Sequence, residues 1–145
     1  MKKLLLALLF VSFIWADTVG YLDSQKILQE YNKSIAAQAE ISVQQKEFQE
    51  LFLKKQAEYE EKKLHSNMSE EELAQLKLDL EEELLPKREA LLKLNQELSS
   101  AIEKSVIEAT KKVAKQLRID VVLDKQVVLV GGMDITSMVL SNLNN

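Results

Sequence analysis

The chain has 145 residues, of which 29% are charged and 6% aromatic, with three Gly, one Pro and no Cys. That length allows one domain, or a small body with an appendage, and so few aromatics argue against a large conventional core. The absence of cysteine excludes a disulfide framework, a thiolate nucleophile and a zinc–cysteine site. The formal net charge is −4, and −6 once Lys2 and Lys3 leave with a leader, which argues against nucleic-acid binding through basic surface.

Met1-Lys2-Lys3 is a short basic start, Leu4 to Trp15 an almost unbroken apolar run, and Ala16 a small residue before polar Asp17. This three-part pattern is that of a secretory signal peptide over residues 1–16, cleaved after Ala16. The apolar run, about 12 residues, is shorter than the roughly 20 a membrane-spanning helix needs. No Cys follows to carry a lipid.

Thr18-Val19-Gly20-Tyr21-Leu22 is short, β-branched and aromatic, and reads as a strand. Asp23 and Ser24 are good helix caps, and Ile27, Leu28, Tyr31 and Ile35 recur at helical spacing. With no Gly or Pro to interrupt it, this helix is expected to reach about Leu64. His65-Ser66-Asn67-Met68 breaks the pattern, and Ser69 with Glu72 forms a capping box that starts a second helix running to about Arg118. At 1.5 Å per residue the two helices would reach about 60 and 75 Å, so they must project from the body as an antiparallel hairpin. The second helix carries a good apolar stripe that includes Leu91, Leu94, Leu98, Ile102 and Val106. In the first the stripe thins to Ile41, Phe48, Phe52 and Tyr59, so the distal arm is expected to be mobile. Pro86 removes a backbone donor within the second helix and is read either as a tolerated kink or as a hinge.

After Arg118 the period becomes strand-like. Ile119 to Leu123 and Val127 to Val130 read as two strands joined by a turn at Asp124-Lys125-Gln126. Gly131-Gly132 ends the second, and Asp134 caps a last short helix through Ile135, Met138, Val139 and Leu143. The fold class expected is mainly α with a small β body. Residues 17–34 and 104–145 make the body, and 35–103 the helical-hairpin arm. So small a sheet is marginal alone and is expected to pack against other copies.

No residues suggest catalysis, a metal or a cofactor. His65 is the only histidine and falls at the arm tip. The runs Glu70-Glu71-Glu72 and Glu81-Glu82-Glu83 point in different directions around a helix and cannot converge on one ion. Gly131-Gly132 lacks the spacing and the Lys-Ser/Thr of a phosphate loop.

The order of elements, with the segment Val19 to Leu28, the run Ile119 to Asp124 and the closing Asp134-Ile135-Thr136, resembles the Skp/OmpH family of periplasmic chaperones. The resemblance implies a homotrimer whose strands form a central body and whose arms enclose an unfolded outer-membrane β-barrel protein, held without ATP or any cofactor. By that analogy Val19, Tyr21, Val121, Leu123, Val128 and Val130 would build the body and its subunit contacts. Phe48, Phe52, Tyr59, Leu73, Leu76 and Leu80 would offer apolar contacts to clients. Helix pairing needs a seam first, so most of these six are expected to zip the hairpin. Family members with basic arms suit anionic lipid and lipopolysaccharide. Here Lys54 to Glu89 holds seven Lys or Arg against eleven Asp or Glu, which weighs against membrane or lipopolysaccharide contact. The competing expectation is a structural coiled-coil spacer or adaptor of the cell envelope. The body with its capped short helix favours the chaperone, since a pure spacer needs no such body.

Overall fold

The computed structural model describes residues 18–145; the signal-peptide reading of 1–16, and Asp17 after it, lie outside the described residues. The elements in chain order are β1 (Val19–Leu22), α1 (Ser24–Glu30), α2 (Asn32–His65), α3 (Glu70–Leu117), β2 (Val121–Asp124), a 3-10 turn (Lys125–Val127), β3 (Met133–Asp134) and α4 (Thr136–Asn144). A long helical hairpin therefore projects from a small β body, as the apolar spacing predicts. At 1.5 Å per residue α2 and α3 extend about 51 and 72 Å. The extra turns of α3 run back along the body.

The junction of the two helices is the capping box read from Ser69 and Glu72. The Ser69 hydroxyl accepts from the Glu72 N–H at 3.3 Å, and the Glu72 carboxylate accepts from the Ser69 N–H at 2.7 Å. His65 is not in the loop but in the last turn of α2, beside Lys62 and Lys63, where basic side chains suit the negative end of the helix dipole. α3 continues unbroken through Pro86.

The expected single helix from Ser24 to Leu64 is two helices, broken at Tyr31. Tyr31 turns extended (φ −78°, ψ 118°) and buries its ring almost completely. One side-chain amide bridges the groups freed on either side. The Asn144 oxygen accepts from the Asn32 N–H, and its nitrogen donates to the Glu30 carbonyl, both at 2.9 Å.

The expected C-terminal strand pair is also corrected. Val127 to Val130 forms no strand. Asp124 accepts from the Gln126 N–H at 2.8 Å and winds the chain into a 3-10 turn, where a hairpin would need the strand to reverse. Gly131 and Gly132 then take positive φ (81° and 89°) and steer the chain to the far side of β1. The sheet is ordered β2-β1-β3, and both outer strands run parallel to β1, in the registers Val19↔Val121 and Gly20↔Met133. Parallel pairing needs a crossover, and here the crossover between β1 and β2 is the whole arm.

One core sits beneath this sheet. Ile27 and Tyr31, Ala109 and Val113 of α3, Ile119, and Ile135, Val139 and Leu140 form a single buried cluster, with Leu22 and Val122 packed against it from the sheet. Gly20 sits where a Cβ would lie 3.0 Å from the Ile119 Cδ1 atom, so a larger residue in β1 would require the Ile119 side chain to shift.

Candidate interaction surfaces

Residues from opposite ends of the described chain converge at one end of the body. Asp23 caps α1 by accepting from the Lys26 N–H at 3.0 Å, and its second oxygen takes the Lys125 ammonium at 2.8 Å. The Asp23 N–H donates to the Thr136 hydroxyl at 2.9 Å, and that hydroxyl and the Thr136 N–H both donate to Asp134 Oδ1. Hydrogen bonding to Lys125 is the main influence holding the Asp23 carboxyl below its ordinary value, and the Thr136 hydroxyl does the same for Asp134. The knot locks β1, the turn after β2, and the start of α4 together. The expected Asp134 cap is corrected: Ile135 occupies the N-cap position of α4 without a side-chain capping bond, and Asp134 stands one residue earlier, accepting from the Thr136 N–H.

Outside this knot the sheet presents an apolar face. The cross-strand pairs Val19–Val121 and Tyr21–Leu123 share one side, and Leu22 and Val122 share the core side. Val19, Val121 and Leu123 stay exposed, and the Tyr21 ring lies 3.2 Å from where a Cβ on Gly132 would sit. Four of the residues expected to make subunit contacts are therefore brought to one surface. The other two, Val128 and Val130, lie on the segment after the 3-10 turn, half-buried and exposed respectively; there Leu129 and Val130 are 97% and 93% exposed.

The arm sorts the six residues expected to meet clients. Leu80 is buried between the helices, and Phe48, Tyr59, Leu73 and Leu76 are half-buried; Phe52 is exposed. Two ion pairs cross the hairpin, Lys55 with Glu83, and Lys87 with Glu47 at 2.8 Å, the latter ammonium also donating to Gln44 at 3.0 Å. Sequence reasoning did not single out Leu78, Leu85 and Leu92, which are all exposed. Their signal was present in the seven-residue interval and in the doublets Leu84-Leu85 and Leu91-Leu92, whose first member lies on the half-buried row.

Nearer the body an open apolar cleft between the two helices is lined by Leu28, Ile35, Ile41, Leu98, Ile102 and Ile107. Among the described residues no group of three or more His, Cys, Asp or Glu side chains is placed to hold a metal ion. No helix among them is long and apolar enough to cross a membrane.

The family described as Outer membrane protein (OmpH-like) matches residues 18–143, nearly all of the described chain. The protein belongs to the OmpH-like family. A solved structure of a candidate outer membrane chaperone (OmpH-like) from Caulobacter crescentus CB15 has a similar fold, with a TM-score of 0.53 at 17% sequence identity over 89% of this chain and 85% of that one. Comparison with curated proteins gives no match.

Proposed function

We propose that this protein is an ATP-independent holdase of the periplasm that binds unfolded outer-membrane β-barrel proteins and keeps them from aggregating. The observation that carries the reading is a long arm with apolar side chains left on its surface, projecting from a body whose outward sheet face is itself apolar. Membership of the OmpH-like family, and a fold shared with a candidate outer membrane chaperone, support it. On this reading the body, residues 17–34 and 104–145, joins three copies through Val19, Tyr21, Val121 and Leu123. The arms, 35–103, surround the client and hold it by many weak contacts, with Pro86 as a point of flexure. The chain acts without catalysis and reaches its compartment through a signal peptide cleaved after Ala16. The acidic arm weighs against binding to lipopolysaccharide or anionic lipid.

The test is client protection by the mature protein beginning at Asp17. A urea-unfolded outer-membrane barrel protein is diluted into buffer without ATP while light scattering is followed. Suppression saturating near one client per oligomer is the expected result. Undiminished scattering at excess protein overturns the holdase reading.

A further inference from the structure

The two broad sides of the arm differ in chemistry. Burial marks the seam on α2 at residues stepping by three and four from Ala37 through Ile41, Gln44, Phe48 and Leu51, and on α3 from Leu80 through Leu84, Lys87, Leu91 and Leu94. One flanking row on α2 steps in the same way from Ile35 through Phe52 and Tyr59 to Lys63. A row on α3 steps from Ala74 through Leu78, Leu85 and Leu92 to Ser99. Both rows lie on the same side of the hairpin. Phe52, Gln56 and Tyr59 share a cleft with Glu81 near the tip, while Ile35, Gln38 and Ser42 share another with Asn95 and Ser99 near the body.

Only Lys63, Glu81 and Arg88 are charged in these front rows. The corresponding back rows, Ala36 to Leu64 and Asp79 to Ser100, hold nine charged residues, seven of them acidic. Both ion pairs that clip the helices together end on back-row carboxylates, those of Glu83 and Glu47. The front is left with exposed leucines at 58%, 47% and 61% exposure (Leu78, Leu85 and Leu92), exposed Phe52, and a run of exposed amides at Gln38, Gln45, Gln49 and Gln56.

We propose that the front side of the arm is the client-binding face, with Leu78, Leu85 and Leu92 as its anchors and an extended, unfolded polypeptide segment as its occupant. This rests on the holdase reading and names the surface that serves it. A second helix is a poor occupant. A stable helical seam needs two apolar positions in every seven, and the α3 front row supplies one. An unfolded segment fits better. Its unpaired N–H and C=O groups need partners, and amide side chains both donate and accept. The leucines stand about 10.5 Å apart along the helix, whereas like-facing side chains of an extended strand repeat at about 6.8 Å. The two spacings do not coincide, so no fixed register is imposed, and segments of different sequence can be accommodated.

The experiment uses the full mature chain and the same barrel-protein dilution. Combined Leu78→Gln, Leu85→Gln and Leu92→Gln is expected to raise the concentration giving half-maximal protection about tenfold. Val43→Gln with Leu64→Gln, exposed on the back rows, leaves it unchanged. Equal protection by wild type and the front variant overturns the face while leaving the holdase reading standing; failure of the wild type itself overturns both. A second measurement does not depend on the front variant folding. The chain has no cysteine, so Leu85→Cys and Glu50→Cys each carry a single photo-crosslinking label. Crosslinks to client from position 85 and not from 50 support the proposal. Crosslinks from 85 only to another arm, or equal client capture from both positions, overturn it.

Discussion

Arg118 shows how a single residue sets the junction between arm and body. It is the only non-glycine with positive φ among the described residues (φ 57°, ψ 42°), and it ends α3 in a left-handed cap. The Ile119 N–H reaches back to the Ala114 carbonyl at 2.9 Å, and the Ile119 side chain buries itself in the core. That reversal aims β2 at β1. A Cβ is unfavourable in this conformation and glycine is the usual residue there. The left-handed penalty of about 1–2 kcal/mol exceeds the roughly 0.5–1 kcal/mol entropic cost of glycine, so Arg118→Gly is expected to raise the urea midpoint with an unchanged slope. A lower midpoint would show that the arginine side chain contributes more than its backbone costs. At this scale the sequence was largely legible. The Ser69–Glu72 cap and the end of α3 at Arg118 both follow from local spacing.

Elements were legible where their cause is local and hidden where it is distant. Both long helices and their antiparallel turn follow from apolar periodicity, because residues stepping by three and four along one helix share a face whatever that face packs against. The break at Tyr31 does not. Gln29-Glu30-Tyr31-Asn32-Lys33 contains no helix breaker, and the side chain that satisfies the broken ends belongs to Asn144, 112 positions from Asn32. Asn144→Ala removes both hydrogen bonds and is expected to cost about 1 kcal/mol. Asn144→Asp keeps the acceptor facing Asn32 but sets a carboxylate oxygen against the Glu30 carbonyl, and is expected to be no more stable than alanine. Urea unfolding of the three proteins checks the order. The misread strand at Val127 to Val130 has the same origin. Its composition is that of a strand, but the edge of β1 is filled instead by Met133–Asp134, delivered there by two glycines.

Across the whole molecule, the arm seam consumes most of the apolar residues that sequence alone offered for binding, and the leucines one position beyond it remain outside. The body has the opposite character, since so few residues cannot cover both faces of their own sheet. Leu129 and Val130, on the segment that leads from β2 to β3, are also almost fully in solvent. On the trimer reading, Leu129→Ser with Val130→Ser is expected to shift sedimentation at micromolar concentration towards a smaller species, with helical content preserved. An unchanged sedimentation profile would remove this segment from the subunit contact.

The parallel pairing of β1 with β2 also has a consequence for the order in which the molecule is made. Thr18 and Asp120 exchange backbone and side-chain hydrogen bonds across 102 positions, so the first strand synthesised has no partner until almost the whole chain has been produced. Contacts so distant in sequence are slow to form when the intervening chain is loose. Here the intervening chain is the hairpin, which can zip from its capped turn towards the body and carry the two strands to each other. Removing the cap with Ser69→Ala is therefore expected to slow completion of a sheet some 70 Å away, a delay that stopped-flow refolding would show.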